Sequence, residues 1–547
     1  MPEHIALARM GKLVAAEVSM GQLGAKSRAV SQALEARPEA ALDVLEMLLA
    51  EASKKRRNEK LLTAYTYMLG QALECARLAA EGGFAFAAEV TDSVRHRLLA
   101  AGNDGQIEPA LLLMLLREFA SAQLDPGPEL RALVERSAEA MAPDPHDLDD
   151  AGDPMAALHR HLEDLAQELD GDSFALCAQM QEMANAFPDD QRAAFAACVL
   201  QSGEEAVREA ALGWVLDARA SVRNATASAI EHAAAQGGVS GAMLRRLIAI
   251  RNWLPEPDRV ALDRTIQTCR RKGVELTPWP QAQVREVLTS AVDAAGAQSV
   301  FVIAREGRRH AIACLLLKHG VGVRDAWARH GLTRSELDGF IAQLQAIDLV
   351  PTSLDYVRLA VAHGLATNLR SGVMPPFLLI DALETAGVQG LQPEALTADT
   401  VLSLLEAEAD PVLSQEGPAA NMLTRNSSVL REIAFLDSWF EADTGIEQLL
   451  GTKGMTRAKR IARVRDEILP RRADKWVERL AWTALTLHHS EDDALWQMFY
   501  VAARELKAGR AIGEIPLMMH VATQTVEAHT ANRRVMRQRA SNSPWLF

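Results

Sequence analysis

Aromatic side chains are scarce in this chain: Phe, Trp and Tyr together make up 5% of 547 residues, with only 4 Tyr. Cores short of large rings must be filled by Ala, Leu, Val and Ile, which suits close helix packing better than a β-sandwich. Cysteine is also sparse. Cys75, Cys177, Cys198, Cys269 and Cys314 are odd in number and no pair has CxxC spacing, which excludes a disulfide framework and a structural zinc site. Free thiols in a reducing compartment are expected. Long apolar runs are missing too. The most apolar, ALLLMLL at 110–116, is far short of the ~20 residues a membrane span needs. The N-terminal MPEHIALARMGKLVAAEV mixes acids with bases and lacks the uninterrupted apolar core of a signal peptide. A cytoplasmic protein with no membrane contact is therefore expected. An excess of positive charge is absent as well: the net charge of −14 argues against a surface built as one large nucleic-acid footprint. Arg outnumbers Lys by 47 to 11, a bias that a bacterial-like genome composition explains.

What the chain has in abundance is helical periodicity. In ALDVLEMLLA (41–50), Leu42, Leu45 and Leu49 recur at i, i+3 and i+7, and Leu158, Leu162, Leu165 and Leu169 do the same in 156–169. Ser202 with Glu205 and Thr333 with Glu336 fit the capping box. Asp153-Pro154 places an N-cap before a first-turn proline. Strand candidates are few, and SVFVIA (299–304) suits either a strand or the apolar core of a helix.

A chain this long exceeds one compact core. PDPHDLDDAGDP (143–154), acidic and rich in Pro and Gly, reads as a linker, and GVELTPWPQ (273–281) stops any helix. The expected organisation is an N-terminal helical domain (1–142), an acidic linker (143–154), helical repeats (155–275) and a C-terminal helical domain (280–547). The expected fold class is all-α.

EEAVREAALGWVLDARASVRNATASAI (204–230) carries the most specific pattern. Asp217 sits in a turn, Val222-Arg223 follows, and small residues recur after it. On this spacing Asp217 caps the turn, while Val222, Ala225, Ala229 and Ile230 form the buried face of the next helix. The stretch resembles the HEAT-repeat family through Leu216, Asp217, Val222, Arg223, Ala227 and Ile230. The resemblance implies an α-solenoid of antiparallel helix hairpins, in two or three segments, with a concave partner-binding surface and no catalytic residues.

Chemical motifs are weak. MGQLGAKS (20–27) echoes a phosphate-binding loop, but its glycines are wrongly spaced and no strand precedes it. His159 and His161 lie about 200° apart on a helix, so they cannot chelate one ion from the same face. HHSEDD (488–493) reads as a helix start. No cofactor and no metal are expected. Unpaired His and acid groups, such as His310 and His319, are the candidates for an active site assembled from distant residues.

Two basic segments offer partner contacts. In 453–475, Lys459, Arg460, Arg463, Arg471 and Arg472, beside a stripe of Ile461, Val464 and Ile468, read either as a solvated helix face or as a contact for an acidic partner or nucleic acid. GRAIGEIPLMMHVATQTVEAH (509–529) resembles the helix-turn-helix of LuxR-type regulators through Gly509, Glu514, Ile515, Val521, Thr525, Val526 and His529. That resemblance implies DNA contacts from Thr525, His529, Arg533 and Arg534, although Pro516 departs from the pattern by falling inside a helix. The apolar tail Trp545-Leu546-Phe547 either tucks back or anchors a partner. The sequence thus predicts a non-catalytic protein–protein interaction scaffold or adaptor; the alternative is a DNA-associated transcription regulator reading through its C-terminal segment.

Overall fold

The computed structural model describes residues 2–18, 24–35, 37, 39–81, 85–122, 124–141, 154–184, 187–344, 348–414, 430, 433–452, 454–490 and 495–542. The expected linker at 143–153 and the Trp545-Leu546-Phe547 tail lie outside them. The chain forms two units, Met1–Val215 with Ser221–Ala229 and Leu216–Ala220 with Ile230–Phe547.

The first unit is a succession of helices. The longest in its N-terminal part, Glu59–Glu81, packs against Pro2–Val18, Ala25–Glu35, Ala40–Ala52, Ala85–Asn103 and Pro109–Ser121. Its apolar face carries Met68, Leu69, Ala72 and Leu73, all buried, with spacings that fit one helical stripe. Leu45, Leu48, Leu115 and Phe119 fill the same core. The fit is close: at Gly11 a side-chain carbon would fall 2.4 Å from the Tyr65 ring.

At the opening of the 220–235 helix, Asp217 accepts a hydrogen bond from the backbone N–H of Arg219 (2.9 Å) and holds the turn. Val222 and Ile230 are buried as expected. Ala225, however, is exposed and Ala229 only half-buried, and Thr226 and Ala227 take their place. The buried stripe follows i, i+4, i+8 from Val222, which turns the inward face by one residue.

The second unit overturns the all-α expectation. Five strands, β1 (Gln283–Ser290), β2 (Ala297–Glu306), β3 (Arg309–Lys318), β4 (Gly322–Leu332) and β5 (Leu349–Pro351), form a sheet in the order β4-β3-β2-β1-β5. Every pairing is antiparallel. The molecule is mixed α and β, and 280–547 is not a helical domain. SVFVIA belongs to a strand: Val302 pairs with Ala313 and Ile303 with Ile312. The β2–β3 connection is two residues, with Gly307 at φ +59°, the left-handed position that a tight hairpin reserves for glycine.

Helices cover both faces of this sheet. The Arg334–Leu344 helix, between β4 and β5, lays Leu337, Phe340 and Ile341 over Phe301, Ile303, Ile312 and Cys314. It begins with a complete capping box: Thr333 N–H donates to Glu336 (2.8 Å), and Glu336 N–H donates to the Thr333 hydroxyl oxygen (3.2 Å). The Leu354–Ser371 and Leu379–Ala386 helices pack on β2, β3 and β4. With both faces buried, β2 and β3 read as unbroken apolar runs, so the alternation that marks a half-exposed strand is missing. Ser202 and Glu205 do not form the other expected box. Ser202 donates to Glu163 (3.4 Å), and its hydroxyl oxygen accepts from Glu204 N–H (3.2 Å). Among the described residues, no helix is long and apolar enough to cross a membrane.

Candidate binding cleft

A buried polar arrangement of the second unit lies where the Gly241–Ile250 helix, the Leu379–Ala386 helix and the ends of β2 and β4 come together. Consecutive Arg245 and Arg246 share one carboxylate, Glu384, at 2.7 Å from Arg245 Nη2 and 3.1 Å from Arg246 Nε. All three side chains are buried. Asp381, one turn earlier on the same helix, meets His330 Nε2 at 2.9 Å, and His330 Nδ1 meets Glu306 at 2.6 Å. The hydrogen bond to Asp381, helped by Glu306, raises His330 to about 9. Both ring nitrogens therefore donate, and the imidazolium serves as a cationic bridge with no lone pair left for base catalysis. Three cations, Arg245, Arg246 and His330, stand among three carboxylates, Glu306, Asp381 and Glu384, so the belt balances its own charge.

Beside the belt is a cavity of about 260 Å³. Its walls are Ile248, Ala249, Trp253, Leu276, Leu383 and Val388, completed by Arg245, Asn252, Thr277, Pro278, Trp279 and residues 389–392. The Arg245 guanidinium lies 5.6 Å from the centre of the Trp279 ring, a cation–π distance. Arg245 Nη1 also donates to the Pro278 carbonyl (2.9 Å), which fixes the Trp279 turn against the Gly241–Ile250 helix. Three buried N–H groups of lining residues, Arg245 Nε, Trp253 Nε1 and Trp279 Nε1, have no acceptor. The lining thus combines apolar side chains with the polar residues Asn252, Thr277, Gln389 and Gln392.

Three family models match the chain. The N-terminal domain of the uncharacterised protein y4lR matches residues 7–127, the Y4lR second domain 188–273, and the Y4lR C-terminal helical domain 399–530. The chain is also similar to the uncharacterized protein y4lR of Sinorhizobium fredii (strain NBRC 101917 / NGR234). The two are 25% identical over 475 residues, which span 84% of this chain and 88% of the relative. No solved structure matches. Arg245 and Trp253 lie within the second matched stretch, whereas the sheet, Leu383 and Val388 lie between the second and the third.

The residues singled out in the sequence fall elsewhere. Thr456 caps the Arg457–Arg463 helix by accepting from Lys459 N–H. A π turn at Val464–Ile468 follows, and of the expected apolar stripe Val464 is buried while Ile461 and Ile468 are half-buried. Lys459 and Arg471 are exposed and Arg460 is half-buried. Arg463 pairs with Glu467 (2.8 Å). Arg472 bonds Glu441 and Asp443. Glu441 is itself buried, accepting also from Lys475 (2.8 Å) and the Trp476 indole (2.8 Å), so Arg472 works as an internal support.

At the C-terminus, Pro516–Asn542 is one unbroken helix with Pro516 as its first residue, where its missing N–H costs nothing. No turn separates Val521 from Thr525. Thr525 is 1% exposed, donating to the Val521 carbonyl (2.8 Å) and accepting from Glu441 N–H (3.0 Å). His529 is half-buried, and Arg533 donates to the Gly451 carbonyl (3.3 Å). The Arg534 side chain lies outside the described residues.

The phosphate-loop echo proves to be an anion cradle of a different kind. Backbone N–H groups of Gly24 (3.0 Å), Lys26 (3.0 Å) and Ser27 (2.9 Å), with the Ser27 hydroxyl (2.7 Å), all donate to the Glu17 carboxylate. The Ser27 hydroxyl leads in lowering this carboxyl to about 2. An internal carboxylate fills the helix N-terminus that a phosphate would take.

His159 Nε2 lies 3.0 Å from the Cys198 carbonyl and 3.3 Å from Cys198 Sγ. A proton donated to the carbonyl occupies that nitrogen, so it cannot deprotonate the thiol. Burial raises Cys198, and pushes Cys177 and Cys314 up to about 12, which keeps all three as thiols. His319 is half-buried, 6.0 Å from the Trp482 ring, and His310 Nδ1 is buried without a partner. Among the described residues, no group of three or more metal-ligating side chains forms.

Nothing in the sequence pointed to the cleft. Glu384 is separated from Arg245 by 139 residues. The one local signal is Trp279, held between two prolines where a surface loop rarely spends a tryptophan.

Proposed function

We propose that the chain is a non-catalytic interaction protein, an adaptor that works through shaped surface and a pre-formed cleft. The observation that supports this reading is the commitment of the reactive groups around that cleft. His330 gives both nitrogens to carboxylates, and Glu384 gives its oxygens to two guanidiniums. Such groups hold a fold together, and none retains the free lone pair or low-pKa nucleophile that acid–base or covalent catalysis needs. Exposed Lys459 and Arg471 remain as contacts for an acidic partner. The DNA-regulator alternative asks Thr525 to face a groove, and its burial disfavours that.

Co-purification of the full chain from its native host, followed by sedimentation velocity of the chain with each purified candidate, tests the adaptor reading. Formation of a discrete complex at micromolar concentration is expected, weakened at higher salt and in the Lys459→Glu/Arg471→Glu double variant. Sedimentation of the chain alone with every candidate contradicts the reading. Retardation of duplex DNA at moderate salt, lost in Arg533→Ala, would favour the regulator instead.

A further inference from the structure

We propose that the outer edge of β4 takes up an extended acidic segment of another protein as an added strand, held by the arginines at the hairpin end of the sheet. β4 is a terminal strand of the order β4-β3-β2-β1-β5, so one of its edges meets no other strand. The start of that edge is covered. Asn368 accepts from Val323 N–H (2.8 Å) and donates to the Val321 and Val323 carbonyls (both 3.2 Å). Farther along, the cover ends. Ala326 N–H turns away from β3 and donates to the Asp325 carboxylate (2.9 Å), and Ala328, two residues on in an unbroken register, turns its N–H and C=O the same way. Such an edge is where an extended peptide adds to a sheet.

Charge selects the partner. Arg305, Arg308, Arg309 and Arg329 are exposed at this end of the sheet. Arg305 donates to the Gly307 carbonyl (2.8 Å), and Arg308, Arg309 and Arg329 have neither a hydrogen bond nor an ion pair among the described residues. The acids beside them are already committed: Glu306 to His330 and Gly331 N–H, Glu336 to Thr333, and Asp338 to Arg334. A carboxylate from outside therefore meets unanswered guanidiniums.

Arg329 is also placed in advance. Its guanidinium lies 5.4 Å from the centre of the Phe340 ring and 5.8 Å from that of Trp327, and the two rings meet edge to face at 5.4 Å. A guanidinium resting on rings keeps its fork of N–H groups for a carboxylate. An added strand sets one side chain across from Arg329 and another, two residues away, across from half-buried Trp327, so an acid and an apolar residue at alternate positions fit. Nucleic acid fits less well. From β2 to β4 the sheet spans about 10 Å, and the net charge of −14 supplies no wider positive field. The surface shares no residue with the Lys459 and Arg471 contact, so loss of either leaves the other standing.

Fluorescence anisotropy of the full chain with a labelled Thr-Val-Thr-Glu-Thr-Val-Thr-Glu peptide tests this, against the same peptide with Lys for Glu and a short single-stranded DNA. Saturable binding of the glutamate peptide is expected, about tenfold or more tighter than the lysine peptide, with new hydrogen-exchange protection at the Ala328 amide. Methylation of alternate peptide nitrogens, which blocks strand addition, should abolish it. Arg329→Glu should weaken binding about tenfold. Ala328→Pro removes an N–H that the ladder does not use, so the fold tolerates it, and should abolish binding; circular dichroism melting confirms that both variants are folded. No saturation by the glutamate peptide overturns the proposal, as does equal affinity for the lysine or methylated peptide. Tighter binding of the DNA, or undiminished binding by either folded variant, overturns it too. Dimerisation of the chain alone that is lost in Ala328→Pro assigns the edge to a second copy and overturns it likewise.

Discussion

The helical unit and the sheet-bearing unit bury their apolar surface in opposite ways. In the first, each helix hides one stripe, so apolar residues return every three or four positions, as along Glu59–Glu81. In the second, β2 and β3 are covered on both faces, so their apolar residues run on without a period. One rhythm is legible from sequence; the other is shared by a buried strand and a buried helix. The difference teaches that periodicity reports how many sides of an element face water, and reports its conformation only indirectly.

Substitutions that bury a charge should break the two units separately. Ile312→Asp places a carboxylate between β3 and the Arg334–Leu344 helix, at a fully buried position. It should cost about 3–5 kcal/mol, read by chemical denaturation. Val222→Asp, fully buried in the helical unit, should cost roughly 2–5 kcal/mol. Hydrogen exchange should show protection lost first in the strands for Ile312→Asp and in the helices for Val222→Asp. Loss in the other order would refute the division into units.

Next in size is Glu384→Gln, which leaves Arg245 and Arg246 without their shared carboxylate and should cost about 3 kcal/mol. A melting temperature unchanged from the parent would show that the belt does not support the fold.

The sheet-bearing unit should also respond to pH in two directions. Burial lowers His319 to about 3 and His363 to about 4, and His363 Nδ1 accepts the Leu396 N–H (3.0 Å), which requires the neutral ring. Their folded values lie below the ordinary value near 6.5. The unfolded chain then binds more protons, and stability falls as pH drops from 6.5 toward 4, by up to about 1.4 kcal/mol per pH unit for each histidine. His363→Gln should flatten that slope by close to one proton; an identical slope would contradict the assignment. His330 has the opposite sign. Its folded value of about 9 lies above the unfolded one, so its contribution is complete below pH 6.5 and is lost as pH rises through 9. With 40% of the side chain exposed, about 1 kcal/mol or less is at stake.

The smallest effect belongs to the turn that precedes the 220–235 helix. Asp217→Ala removes the acceptor for Arg219 N–H and should cost about 1 kcal/mol by denaturant titration. Equal stability would remove the turn-holding role.

Short-range chemistry was the legible part of this molecule. Thr333 and Glu336, three residues apart, specify their cap without help from the rest of the chain, and the Leu-rich stripes specify their helices. Gly24, Lys26 and Ser27 look like an anion cradle because they are one, although spacing cannot show that Glu17 already occupies it. The sheet was half legible: SVFVIA had strand composition, but its partner AIACLLL offered alanines and leucines that suit a helix equally well. The cleft was not legible, because its Arg245–Glu384 contact depends on chain folding across 139 residues. Basic residues mislead for a related reason. Arg472 looks like surface charge in sequence, and only the fold reveals the buried Glu441 that consumes it.

The central claim is that the reactive groups beside the cleft are committed to structure, and the protonation of His330 tests it most directly. Nitrogen-15 chemical shifts of the labelled imidazole, followed from pH 5 to 10, should show both nitrogens protonated up to about pH 9. A ring that loses its proton near pH 6.5 would be a free base beside an open cavity, and would contradict the account.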